Sequence, residues 1–130
     1  MMKFDEAGLF VTDMEKMVTF YRDVMGMTTD WNGAANAELY SGGMRLIMFR
    51  SDDFEKMTSR KYAYPAGQNG TFEISFGLPQ FDDVDKEYER VVKLGATPVF
   101  PPENEPWGQR TSFVCDPDGN LVEISSFNQG

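Results

Sequence analysis

The chain has 130 residues, 41% of them hydrophobic and 25% charged, which fits one globular domain spanning residues 1–130. Its formal net charge of −9 argues against nucleic acid and anionic membranes as partners, because phosphate recognition needs basic patches. It has no histidine and one cysteine, Cys115, which excludes histidine-based acid–base chemistry and an intrachain disulfide and makes a reducing cytoplasm the expected compartment.

The start, MMKFDEAGLF, lacks the basic and long apolar regions of a signal peptide, and no apolar run approaches the ~20 residues that span a bilayer. The first strand is expected over 6–11, with Ala7, Leu9 and Val11 on one face and Glu6, Gly8 and Phe10 on the other. A helix follows in TDMEKMVTFYRDVMGM, where Met14, Met17, Val18, Tyr21, Val24 and Met25 keep helical spacing. Thr12-x-x-Glu15 reads as its capping box and Gly26 as its stop. A strand is expected in GMRLIMF, 43–49. Residues 51–70 read as an irregular loop that joins two halves and covers a cleft, with Tyr62 and Tyr64 as its anchors.

The second half repeats the first. FEISFGL alternates Phe72, Ile74, Phe76 and Leu78 against Glu73, Ser75 and Gly77. FDDVDKEYERVVKLGA carries Phe81, Val84, Tyr88, Val91 and Val92, which fall on the first helix's stripe at an offset of 67. The same offset pairs Glu6 with Glu73. An Asp116-Pro117-Asp118-Gly119 turn, with Pro at i+1 and Gly at i+3, leads into DGNLVEI. That run matches GMRLIMF at an offset of 75, which sets Met48 on Glu123. Each half thus reads strand, helix, three strands, over about 4–50 and 71–127, and the fold class is α+β. Cys115 reads as a small buried hydrophobe. Glu123 stands out as a carboxylate among apolar neighbours.

The runs GLFVTDMEKMVTFYRDVMGM, FEISF…FDDVDKEYERVVKLGA and PWGQRTSFVCDPDGNLVEI resemble the vicinal oxygen chelate superfamily. That group includes glyoxalase I, bleomycin-resistance proteins, fosfomycin-resistance enzymes and extradiol dioxygenases. The resemblance implies two βαβββ repeats whose curled mixed sheets surround a shared cavity, and a homodimer. It also implies four inward positions able to hold a divalent metal, which fall here on Glu6, Met48, Glu73 and Glu123. Glyoxalase I typically has His or Gln, Glu, His and Glu there. The three carboxylates suit manganese, magnesium or calcium better than zinc or nickel, whereas the Met48 thioether is a poor partner for such hard ions, and the set is also compatible with no metal at all.

Three carboxylates within about 5 Å would repel by about 3 kcal/mol per pair at an effective dielectric near 20. The expected responses are a bound dication, a cationic ligand group, a shared proton, or side chains splayed into water. Trp107 and Arg110 are candidates to border the cavity, one to stack on a ligand and one to hold a carboxylate or phosphate. Trp31, Tyr40 and Met48 are candidates to line the first half, whereas Phe49 reads as core.

Two functions follow. One is a glyoxalase/bleomycin-resistance-like protein whose acidic, histidine-free cavity binds a small cationic or aromatic molecule. The other is a metal-dependent lyase or isomerase related to lactoylglutathione lyase, with Glu6, Glu73 and Glu123 as metal ligands and Glu73 or Glu123 as base. Extradiol dioxygenase and fosfomycin-type transferase chemistry is disfavoured by the absence of histidine.

Overall fold

The alternation in AGLFV produces the first strand, β1 (Ala7–Val11), of a computed structural model that describes residues 1–64 and 66–129. The chain forms an α+β fold of two units, Met1–Tyr64 and Pro65–Gly130. Among the described residues, no helix is long and apolar enough to cross a membrane.

In the first unit, β1 is followed by α1 (Met14–Thr19), β2 (Asn36–Ser41), β3 (Met44–Arg50) and α2 (Ser51–Thr58). The sheet order is β1-β3-β2, with β1 parallel and β2 antiparallel to β3. One sheet face carries Leu9, Val11, Ala37, Leu39, Leu46 and Met48, all buried with Met14, Met17, Val18 and Tyr21 from the helical segment. This matches the apolar faces expected for β1 and the helix.

The helix itself differs from expectation in two ways. Its cap is Asp13 rather than Thr12: Asp13 Oδ1 accepts the Lys16 N–H at 3.1 Å. After Thr19 the chain widens into a π-helical turn, Phe20–Val24, in which the Met25 N–H reaches back five residues to the Phe20 carbonyl at 3.0 Å. The wider turn puts Phe20 into the core beside Tyr21, with ring centroids 4.9 Å apart. A 3.6-residue period cannot show this.

In the second unit, β4 (Asn69–Gly77), α3 (Phe81–Lys93), β5 (Thr97–Asn104), β6 (Arg110–Cys115) and β7 (Asn120–Ser126) complete one βαβββ repeat in the order β4-β7-β6-β5. Helix α3 opens on a capping box between Gln80 and Asp83. Val84 and Val91 of α3 are buried, as are Val114, Val122 and Ile124 of the sheet. In the first unit the fourth strand is reduced to one bridge, Thr28 with Tyr40. The chain turns away at once: Thr29 Oγ1 donates to the Glu38 carbonyl, and Trp31 Nε1 donates to the Ala34 carbonyl at 2.8 Å.

The strand registers revise the repeat. Ala7 pairs with Leu46 and Gly8 with Ile47, while Ile74 pairs with Val122 and Ser75 with Glu123. The β1-to-β4 offset of 67 therefore holds, but β3 maps onto β7 at 76 (46 to 122), not 75. A one-residue slip moves every side chain to the other face. The counterpart of Glu123 is Ile47, and Met48 maps onto core residue Ile124.

The loop expected over 51–70 is also corrected. Its first part is α2, closed by Ser59 at φ +57°, and its last two residues begin β4. Phe54 of α2 meets Phe10 at 4.6 Å between centroids, and Tyr62 stacks on Phe10 at 5.5 Å. Tyr64 and Phe49 join the same aromatic cluster. Tyr62 and Tyr64 thus anchor the segment, as their sequence reading expected.

Candidate functional site

On the second unit's sheet, alternation sends Ile74, Phe76, Ser112, Val114, Val122 and Ile124 to the α3 side. Glu73, Ser75, Thr111, Phe113, Glu123 and Ser125 take the opposite face. The parallel pairing of β4 with β7 sets Ser75 directly beside Glu123. Ser75 Oγ donates to Glu123 Oε1 at 2.7 Å, and Ser125 Oγ donates to the same oxygen at 3.1 Å. Glu123 is only 7% exposed, and these two hydroxyls supply the hydrogen bonds a buried carboxylate requires. The charge on an otherwise apolar strand is thus a carboxylate on the face away from the helix, flanked by serines.

Glu73 lies one pairing step away on the same face. Although Glu73 is exposed, partial desolvation raises its pKa above the ordinary carboxylate value, and the negative charge of Glu123 adds to the effect. Glu73 and Glu123 thus share one face of the sheet. Beyond them on this face, Phe100, Pro101, Glu103, Glu105, Thr111 and Phe113 line a hollow of about 280 Å³. Thr111 Oγ1 donates to Glu105 Oε1 there at 2.8 Å.

Trp107 stands in the turn before β6 and is 65% exposed. Its indole N–H donates to Gln109 Oε1 at 2.8 Å, and buried Gln109 donates through Nε2 to Ser125 Oγ at 3.0 Å. Trp107 is thereby linked to Glu123. Arg110 is not. It falls on the α3 side, where its guanidinium donates twice to Asp85 at 2.8 Å and once to Asn104. The Asp85 carboxylate raises the pKa of Arg110, and Arg110 lowers that of Asp85. The structure thus places the Arg110 guanidinium, expected as a holder of a ligand anion, on the Asp85 carboxylate.

In the first unit, Glu6 precedes β1, and its Oε2 is ion-paired with Arg45 at 2.5 Å. The same guanidinium approaches Asp5 at 3.4 Å and Glu38 at 3.8 Å. Tyr40, which pairs with Arg45 across the sheet, donates its hydroxyl to Glu38 at 2.8 Å. Met48 is fully buried (0% exposed) on the opposite face with Leu46, so it packs the core rather than lining a site. This corrects its reading as a ligand-facing position. Trp31 lies apart from Tyr40, beside Thr12, Met14, Ala35 and Arg50 in an open groove of about 550 Å³. Within either unit, among the described residues, no three acidic or thiol side chains are grouped to hold a metal ion.

Sequence reasoning named Glu123 and Glu73 but passed over Ser75, Ser125, Gln109 and Arg45. Ser75 and Ser125 share the parity of Glu73 and Glu123 along their strands, which was a readable signal. Gln109 and Arg45 depend on turn geometry and cross-strand pairing, which no spacing displays.

A family model described as the Glyoxalase/Bleomycin resistance protein/Dioxygenase superfamily matches residues 3–124. The protein YraH of Bacillus subtilis (strain 168), described as uncharacterized, is 28% identical over 95% of this chain and 97% of its own length. The metallothiol transferase FosB of Lysinibacillus sphaericus (strain C3-41) is 25% identical over 88% of this chain and 74% of its own. Among solved structures, a glyoxalase-related enzyme from Fulvimarina pelagi superposes with a TM-score of 0.81 at 20% identity, covering 97% of this chain and 88% of that one.

Proposed function

Because the chain belongs to the glyoxalase/bleomycin resistance protein/dioxygenase superfamily, we propose that it is a small-molecule-binding member whose site is built around Glu123. The ligand carries a cationic N–H group beside an aromatic or apolar body. The observation that carries this reading is the buried Glu123 carboxylate with both serine hydroxyls on Oε1. Oε2 is the oxygen left to accept from a ligand. Glu73 adds negative charge on the same face, and Phe113 offers an apolar neighbour. No basic side chain of this face approaches Glu123 among the described contacts, so a cationic ligand is the chemical complement. The working form of this reading is a cytoplasmic homodimer, which follows from the family resemblance and the single cysteine.

Titration calorimetry tests it with benzamidine, a flat aromatic amidinium, against neutral benzamide of the same shape. Benzamidine should bind at least about tenfold more tightly than benzamide, and Glu123→Gln should remove that preference. Equal binding of the two probes by the wild type would end the reading.

A second reading has one observation in its favour: the raised pKa of Glu73 beside Glu123 makes an acid–base pair. In that reading Glu73 and Glu123 hold manganese, magnesium or calcium, and one glutamate moves a proton next to a carbonyl. Metal analysis of the purified protein separates the readings. Stoichiometric metal with turnover of a hemithioacetal supports the second, and benzamidine binding by metal-free protein supports the first.

A further inference from the structure

We infer that Trp107 and Gln109 are positioning residues that aim the Ser125 hydroxyl at Glu123. The inference rests on the Glu123-centred reading above for its functional meaning, but its geometry stands alone. Turn residues 105–109 are closed by the Glu105 N–H to the Gln109 carbonyl at 2.7 Å and the Gly108 N–H to the Glu105 carbonyl at 3.1 Å. Gly108 takes φ +92°, which a residue with a Cβ rarely adopts. That turn sets Trp107 and Gln109 on one side.

The direction of every proton in the chain then follows from its first member. An indole N–H can only donate, so the Gln109 atom at 2.8 Å must be the amide oxygen. The amide nitrogen consequently faces Ser125 Oγ at 3.0 Å and donates to it. A serine hydroxyl has one proton, and with its oxygen already accepting, that proton is directed to Glu123 Oε1 at 3.1 Å. Without the indole, the Gln109 amide is free to turn over. Its oxygen would then compete with Glu123 for the Ser125 proton. An exposed tryptophan thus controls how a buried carboxylate is held.

Two measurements on the intact protein test this. The first needs no ligand: the side-chain N–H resonances of Trp107 and Gln109, assigned with Trp107→Phe and Gln109→Leu. Ser125→Ala should move both resonances, and Ser125→Thr, which keeps the hydroxyl, should restore them. Glu123→Gln should move the Trp107 indole resonance although the two residues share no bond. An indole resonance indifferent to Ser125→Ala and Glu123→Gln would overturn the inference. The second is benzamidine affinity, which Trp107→Phe should weaken by about fivefold, the equivalent of one net hydrogen bond. Unchanged affinity in Trp107→Phe, with a wild type that binds, would also overturn it. Coupled resonances with no benzamidine binding by the wild type would instead support the positioning chain and refute the ligand reading.

Discussion

Ser75 and Glu123 sit side by side on β4 and β7, with the serine hydroxyl 2.7 Å from the carboxylate oxygen. A buried ionised carboxylate deprived of a donor bears a desolvation penalty, whereas a neutral amide in its place bears less. Ser75→Ala should therefore lower stability by about 1–2 kcal/mol in the wild type and by about half that in a Glu123→Gln background. Urea denaturation of the four proteins of this cycle measures the difference. An equal cost in both backgrounds would show that the bond does not serve the charge.

Glu73 gives a pH signature. Its folded-state pKa is raised by partial desolvation and then by Glu123. The folded state therefore holds the Glu73 proton more tightly than the unfolded chain does. Stability falls as pH rises from the ordinary carboxylate value through the raised one, and the loss persists above it. Glu73→Gln should consequently raise Tm at pH 7, with the gap over the wild type closing below about pH 4. A gap that stays constant from pH 4 to 7 would contradict this.

The repeated helix stripe, the β1 alternation and the final turn were all legible in the residues because each is a local pattern with a fixed period. The same locality explains the main error. Met48 and Glu123 align by residue type at an offset of 75, but the backbone registers align at 76, and only pairing across strands reveals it. The helix α2 was obscured because SDDFEKMT has one large aromatic, Phe54, in a polar run, and its partner Phe10 is distant in sequence. Arg110 looked like a ligand-holder in PWGQR, since nothing local announces that Asp85 on α3 lies within reach.

The Asp-Pro-Asp-Gly turn is a structural knot as well as a strand connector. Asp116 Oδ1 accepts the backbone N–H of Asp118 at 2.9 Å and of Asn120 at 3.0 Å, and the Gly119 N–H closes on the Asp116 carbonyl at 3.0 Å. Gly119 has φ +88°, and a Cβ built there overlaps the Gly67 carbonyl oxygen. Its own carbonyl accepts the Asn69 N–H at 2.7 Å, which starts β4. Gly119→Ala should cost at least about 2 kcal/mol, combining left-handed strain with the displaced backbone. Amide exchange at Asn69 should quicken along with the drop in stability; a variant as stable as the wild type would refute the account.

The aromatic cluster makes a prediction for the first unit. Phe54 touches Phe10, Phe49 and Tyr62, with centroid distances of 4.6, 6.0 and 5.7 Å. Such pairs are each worth about 0.5–1.5 kcal/mol beyond area burial. Phe54→Ala should release α2 and residues 59–64 from the sheet while leaving the Met14, Met17 and Tyr21 core in place. Limited trypsin digestion should then cut after Arg60 and Lys61 several-fold faster, whereas Phe54→Tyr should keep the wild-type rate. Unchanged cleavage in Phe54→Ala would mean the rings do not hold the segment.

Arg110 and Glu123 are close in sequence but belong to opposite faces of one sheet, and this separates stability from binding. The guanidinium makes a two-pronged contact with Asp85 of α3, with Arg110 mostly covered and Asp85 half exposed. Partial exposure screens the pair, so Arg110→Ala should destabilise by about 1 kcal/mol. Asp85→Asn should reproduce the loss, and the double variant should cost less than the sum, because the pair acts as a unit. Benzamidine affinity should be unchanged in all three proteins. A tenfold loss of affinity in Arg110→Ala with intact stability would instead place the guanidinium at the ligand, and the alternation that divides the two faces of β6 would no longer describe the site.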